Sequence, residues 1–415
     1  MLREVLVALL TIAVAAGLLV VASRISALWA RRIWLLSFVL VVNGGITMMS
    51  AHAFVAKWGF RGEHPRFALQ KLIDGTANRP FVYRRLTPDV VGAIASTVVE
   101  HTPRARLEAW LENSTLARYR VDGEPWSLPS GVAFHASYAL VWLSLFGTSL
   151  ASAALVHVIR RGSVFESLLA GAVASALTPL TYMHGGYVYD APEQLLWTLL
   201  LVVLLKDWPW PTLPLFVLMV INKESALLAL PAIAVIHWQR RGAGAAVRWT
   251  APLFVLGVLW VAYVRQRYVG NAGSALETRL TTNLEFWLSP KIFFRFAELS
   301  APGLPSPRGL NLLLLALVFL PFRFGWRSTP RPLRWALLAT AVLVLPLFLV
   351  GSMLDEIRAL ALLFPLMFVV TVEGAHALVS GSVSAEARLN ETDERDRRAC
   401  GVSAGKVGAV VKRRS

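Results

Sequence analysis

Apolar runs separated by short charged breaks occupy most of this chain. They fall near residues 5–22, 33–50, 132–157, 164–183, 190–205, 211–221, 226–237, 249–264, 309–321, 335–353 and 358–378. About 20 consecutive apolar residues cross the hydrocarbon core of a bilayer. The pattern therefore predicts an all-α fold, a polytopic transmembrane helix bundle of about 10–11 segments. The stretch 209–237 is too polar at its centre for a single span. It divides into two half-segments at Asn222-Lys223-Glu224-Ser225. The first half, 211–221, reaches only about 16 Å at 1.5 Å per residue, against a core of roughly 30 Å. The break is thus predicted to lie at membrane depth, lining a cavity walled by protein, where interrupted backbone is tolerated.

Composition narrows the class further. Of the 415 residues 56% are hydrophobic and 16% charged, where a soluble domain carries about 25% charged residues. That excludes a soluble enzyme, a disordered chain and a coiled coil. The net charge of +16 invites a nucleic-acid partner, but the basic residues sit in short loops. Arg24, Arg31 and Arg32, then Arg160 and Arg161, then Arg240, Arg241 and Arg248, and finally Arg323, Arg327, Arg331 and Arg334 all fall on one side if each segment reverses the chain. Excess Lys and Arg mark the cytoplasmic side, so the N-terminus is outside, the tail is inside, and no nucleic acid is implied. The first segment reads as an uncleaved span, because its core is long and Arg24 follows it. The lone Cys400 excludes a disulfide framework and a CxxC metal site.

Residues 1–378 form the predicted membrane domain, with two large outer loops, 51–131 and 265–308. In the first loop Asp89 to Glu100 and Arg104 to Glu112 carry apolar residues at helical spacing, as short interfacial helices do. Residues 379–415, rich in Arg, Glu, Ser and Gly, are predicted to be a disordered cytoplasmic tail. No internal repeat supports an inverted-repeat transporter.

With this topology the unusual polar residues gather on the outer face. They are Asn78-Arg79-Pro80-Phe81-Val82-Tyr83-Arg84-Arg85-Leu86, His184-Gly-Gly-Tyr187-Val-Tyr189-Asp190, the Asn222-Lys223-Glu224-Ser225 break, and Asp355-Glu356-Ile357-Arg358. Arg79, Arg84 and Arg85 either anchor the loop to lipid headgroups or bind phosphate, whose oxygens match planar guanidinium donors; Tyr83 adds an aromatic surface. Asp190 opens a span, where it is either a helix cap and dipole partner or a general base or sugar-holding carboxylate, with His184 and Tyr189 nearby. Glu224 and Lys223 are charges at membrane depth, which mark a site or pathway unless Lys223 only neutralises Glu224 or Asp190. Asp355, Glu356 and Arg358 occupy a short turn that is polar in any case. No cofactor is implied, and no HxxxH or ligand cluster indicates a divalent metal. P-loop, GxGxxG, GxSxG and HExxH motifs are also absent.

The strings Arg79-Pro-Phe-Val-Tyr-Arg-Arg-Leu86, Tyr189-Asp190 and Asn222-Lys-Glu-Ser225, in a many-span chain with a large outer loop, resemble poorly characterised bacterial membrane proteins of the GT-C glycosyltransferase superfamily. The resemblance covers roughly residues 33–378. It implies a bacterial cytoplasmic (inner) membrane location and a polyprenyl-phosphate-linked sugar donor used on the outer face. It also implies a glycan, lipid or protein acceptor. In that chemistry Asp190 or Glu224 is the base or a sugar ligand. Arg84, Arg85 and Arg358 meet phosphate, and Lys223 orients a carboxylate. The superfamily's acidic residue early in the first outer loop has no clear counterpart, since Glu63 and Asp74 stand without an acidic neighbour. A lipid-linked glycan polymerase or ligase, a transporter or flippase of lipid-linked or anionic cargo, and a scaffold subunit are the alternatives.

Overall fold

The computed structural model describes residues 27–61, 64, 66–120, 126–182, 186–274, 278–298, 305–307, 310–354 and 356–399. The predicted first span, Glu63, His184, Asp355 and Cys400 lie outside them. The described chain is almost wholly helical. Helices α1 (Ala27–Ser37) and α2 (Gly44–Trp58) are joined by a π-helical segment, Phe38–Asn43. Then come α3 (Leu69–Ile73), α4 (Leu86–His101), α5 (Arg104–Glu112), α6 (Leu128–Arg160), α7 (Val164–Thr181) and α8 (Asp190–Leu205). After these follow α9 (Thr212–Asn222), α10 (Leu230–Arg241), α11 (Ala243–Arg267), α12 (Leu280–Trp287), α13 (Leu312–Ser328), α14 (Arg331–Gly351) and α15 (Phe364–Ala399).

Among the described residues five helical stretches are long and apolar enough to cross a bilayer: Leu28–Trp58, Leu128–Arg160, Ala243–Arg267, Arg331–Gly351 and Phe364–Gly381. Their outer faces are apolar and uncovered at Val41, Met49, Leu143, Leu259 and Val342. A soluble monomer seldom exposes so much contiguous apolar surface. The helix starts follow ordinary capping chemistry. Ser127, Ser163 and Asn311 each accept a hydrogen bond from a backbone N–H of the turn they open.

Two findings differ from the sequence reading. The second outer loop contains a small antiparallel ribbon, Phe296–Glu298 paired with Pro305–Pro307, within an otherwise helical chain. Helix α15 continues to Ala399, well past the boundary drawn at residue 378. The sequence Ala385-Glu-Ala-Arg-Leu-Asn-Glu-Thr-Asp-Glu-Arg is rich in strong helix formers, which explains why it extends the helix.

The short helix α8 is the hub. Trp197, Leu200 and Leu201 on it are fully buried, as expected of a helix that is apolar all round. They pack with Phe216 of α9, Ile233 and Ile236 of α10, Leu333 and Ala336 of α14, and Leu366 and Val369 of α15. The Trp197 indole N–H donates to the Leu362 carbonyl at 2.8 Å. Helices α13 and α15 meet backbone to backbone. A Cβ on Gly325 would lie 1.9 Å from the Val370 carbonyl oxygen, and one on Gly374 only 1.6 Å from that of Pro321. Small residues permit such close packing of apolar helices.

Helices α9 and α10 run as a hairpin beside α8. At one end Arg240 donates to the carbonyls of Leu204 and Leu205 at 2.6 and 2.7 Å, and Arg241 pairs with Asp207 at 2.7 Å. At the other end the Asn222 amide donates to the Tyr189 carbonyl at 2.8 Å. The tip of the hairpin, Asn222 to Ala229, therefore sits beside the N-terminus of α8. The break predicted at residues 222–225 is present: α9 ends at Asn222, Lys223 is extended (φ −161, ψ 130), and Glu224–Ala229 is a 3-10 turn.

Candidate functional site

Four distant strings meet at this tip. Arg85 N–H donates to the Ile221 carbonyl at 3.0 Å, and the Thr87 hydroxyl donates to the Asn222 side-chain oxygen at 2.7 Å. These bonds bring the start of α4 onto the end of α9. The turn before α8 supplies Tyr187 and Tyr189, whose rings stack with centroids 5.2 Å apart. Arg358 lies 4.3 Å from the Tyr187 ring centre and Arg84 lies 4.7 Å from that of Tyr189. The order is cation, ring, ring, cation, an arrangement that fixes both guanidinium groups through cation–π contact.

The carboxylates interleave with these cations. Asp190 accepts from Arg358 at 3.1 Å, from Lys223 at 3.3 Å and from the Tyr187 N–H at 2.9 Å, and its side chain is 3% exposed. Glu193, one turn further along α8, holds Lys223 at 2.6 Å with one oxygen and the Ser225 hydroxyl at 2.7 Å with the other. Glu356 pairs with Arg358. Glu224 meets Arg84 in a forked contact of 3.2 and 3.4 Å, with 27% of its side chain exposed. Among the described residues three cations thus face four carboxylates, and each cation has a carboxylate partner.

In the connecting segments Arg84 and Glu356 have displaced titrations. Burial favours the neutral form of Arg84, but Glu224 and then Tyr189 outweigh it and hold the guanidinium well above its ordinary value. Arg84 is therefore a permanent cation. Burial likewise pushes the Glu356 carboxyl up, while Arg358 and the Met353 N–H more than offset it and keep the acid below the usual carboxylate range.

Not every expected residue joins. Tyr189, Asp190, Asn222, Lys223, Glu224, Arg84, Glu356 and Arg358 come together as described. Arg85 is expected to meet phosphate, but its guanidinium is turned away to the carbonyls of Leu72 and Ile73 and to Asp89; it ties α3 to α4. Tyr83 is expected to present an aromatic surface, but it is packed in the apolar core with Leu72, Val82 and Tyr268. Arg79 has its backbone N–H on the Ala272 carbonyl at 2.8 Å, and its Nε is buried without a hydrogen-bond partner. Asp74 accepts from Gln70 at 2.8 Å, away from the cluster. Glu193 is the functional candidate absent from the sequence reading, and Ser225, named there only as part of the break, gains a partner in it. An acidic residue three positions after Asp190 on an apolar helix was the available signal.

Beside the tip, α9 and α11 enclose an apolar groove of about 300 Å³ lined by Phe216, Val220, Ile221, Leu256, Gly257 and Trp260. Ile221 is the residue before Asn222, so the groove adjoins the charged cluster. Among the described residues no group of three or more His, Cys, Asp or Glu side chains is arranged to hold a metal ion. Comparison with protein-family models, with curated proteins and with solved structures finds no match to this chain.

Proposed function

We propose that this chain is a membrane glycosyltransferase of GT-C type, transferring a sugar from a polyprenyl-phosphate donor to an acceptor on the outer, periplasmic face of a bacterial cytoplasmic membrane. In this reading the bundle has 10–11 membrane segments, the N-terminus is outside and the α15 end is cytoplasmic. The observation that carries it is the position of Glu224. This carboxylate is partly exposed, opposed by a guanidinium, and set at an interrupted helix beside an apolar groove. The 16 residues of α8 rise about 24 Å, so its N-terminus and the neighbouring break lie near the outer edge of a core roughly 30 Å thick. Nucleotide sugars do not reach that side, whereas a donor carried on a lipid does.

The chemistry follows from the residues. Glu224 takes the proton of an acceptor hydroxyl. The freed oxygen forms a bond to the anomeric carbon, the bond from that carbon to the phosphate oxygen breaks, and the electron pair leaves with polyprenyl phosphate. Arg84 stabilises the charge on the departing phosphate, and a positioned base contributes roughly 10² to 10⁴-fold. The groove between α9 and α11 suits an isoprenoid chain. Asp190, saturated by Arg358, Lys223 and the Tyr187 N–H, is assigned to holding the site's shape.

The test is transfer from a panel of radiolabelled polyprenyl-phosphate sugars in proteoliposomes. Product formed by the wild type and not by Glu224→Gln supports the reading. Cluster-dependent movement of lipid-linked sugar between leaflets, with no transfer from any donor, would replace it with a flippase.

A further inference from the structure

We infer that Glu224 is a built-in placeholder for the ligand's phosphate: a phosphate ester binds by displacing the Glu224 carboxylate from Arg84, and that exchange frees Glu224. The inference rests on the reading above for the identity of the ligand, but not for the exchange itself.

Three observations combine. First, Arg84 is fixed independently of Glu224. It donates to the Tyr189 hydroxyl, and its guanidinium lies 4.7 Å from the Tyr189 ring centre and 5.5 Å from that of Phe81. Second, the Arg84–Glu224 contacts of 3.2 and 3.4 Å are long for a charge-assisted pair, which closes to about 2.7–2.9 Å. Glu224 is also the most exposed of the four cluster carboxylates, at 27%. Third, the residues on either side of Glu224 are held. Glu193 grips Lys223 at 2.6 Å and Ser225 at 2.7 Å, so the glutamate side chain swings while its backbone stays in place.

The other two cations offer no such opening. Lys223 is enclosed by Glu193 and Asp190, and Arg358 by Asp190 and Glu356. An incoming anion meets one replaceable partner. A phosphate ester presents several oxygens to the same fork that holds one carboxylate, and Arg recognises both in the same two-pronged way. Displacement also explains how a cluster whose cations each have a carboxylate partner binds an anion at all. The freed Glu224 carboxylate no longer has Arg84 as a partner, so the donor's arrival releases the group that takes the acceptor's proton.

Calorimetric titration of the full chain in neutral phosphatidylcholine nanodiscs tests this, with farnesyl phosphate, farnesol and inorganic phosphate as probes. Removing the resident carboxylate charge by Glu224→Gln is expected to tighten farnesyl phosphate about tenfold while leaving farnesol unchanged. Glu224→Asp, one methylene shorter and still charged, is expected to tighten it by a smaller factor. Arg84→Gln is expected to abolish the phosphate-dependent gain over farnesol. Inorganic phosphate tightening in parallel assigns the effect to the phosphate itself, whereas tightening confined to farnesyl phosphate assigns it to the lipid ester. Equal or weaker binding of farnesyl phosphate by Glu224→Gln and Glu224→Asp overturns the exchange, as does equal tightening of farnesol. If tightening occurs but no donor supports transfer, the exchange stands and the transferase reading falls.

Discussion

Asp190 and Glu224 belong to one cluster, yet their surroundings differ in a way that separates structure from chemistry. Asp190 is sealed at 3% exposure, with Arg358, Lys223 and the Tyr187 N–H on its two oxygens. Glu224 is 27% exposed and meets Arg84 at 3.2 and 3.4 Å. Burying an ion is costly, and a sealed pair chiefly avoids the larger cost of leaving a partner alone. A partly open pair can exchange its partner. The inner half of the cluster therefore fixes the geometry of the break, and the outer half is where a ligand enters.

The comparison breaks most severely at Lys223. Lys223→Met leaves Asp190 and Glu193 facing each other with one cation fewer, and is expected to cost about 3–5 kcal/mol in unfolding measured in mixed micelles. A loss below about 1 kcal/mol would mean that the inner half is not the clamp described. A lesser cut is Ser225→Ala, which removes the hydroxyl from the Glu193 carboxylate. It is expected to cost about 1.5 kcal/mol and to speed hydrogen exchange in the peptide around residues 219–230 without changing it elsewhere. Uniformly faster exchange would point to general loosening instead.

The smallest effect belongs to the far end of the hairpin. Asp207 is held below the usual aspartate range chiefly by the Arg241 hydrogen bond, against slight burial, with Arg241, Arg240 and His237 charges helping. A depressed carboxyl adds stability above its unfolded value, and that contribution is lost as pH falls through its folded value. Both partners are partly exposed, so Asp207→Asn is expected to cost about 0.5 kcal/mol or less near neutral pH. The difference from wild type should shrink as pH drops below about 4. A larger cost, or one that grows in acid, would contradict the assignment.

The helices were legible from the sequence because bilayer-length apolar runs are a strong signal. The predicted elements 132–157, 211–221 and 335–353 are recognisable in Leu128–Arg160, Thr212–Asn222 and Arg331–Gly351. The half-segment argument also located the break at Asn222–Ser225, since an 11-residue helix cannot reach across. What the pattern does not encode is which way a basic side chain turns. Arg84 and Arg85 are adjacent and chemically alike, yet one meets Glu224 and the other caps the carbonyls of Leu72 and Ile73. That difference depends on the loop path over α3. Glu193 is illegible for a related reason: nothing in the sequence shows that a carboxylate about 30 residues earlier holds both Lys223 and Ser225.

The most direct test compares sugar-transfer rates of Glu224→Gln and Asp190→Asn, each normalised to the amount of monodisperse, folded protein in the same proteoliposomes. Glu224→Gln should fold like the wild type and lose about 10² to 10⁴-fold in rate. Asp190→Asn should fold in lower yield but keep its rate within about tenfold per folded molecule. The reverse pattern, with Asp190→Asn inactive and Glu224→Gln near wild type, would make the sealed carboxylate the reacting group and contradict the division between the two halves.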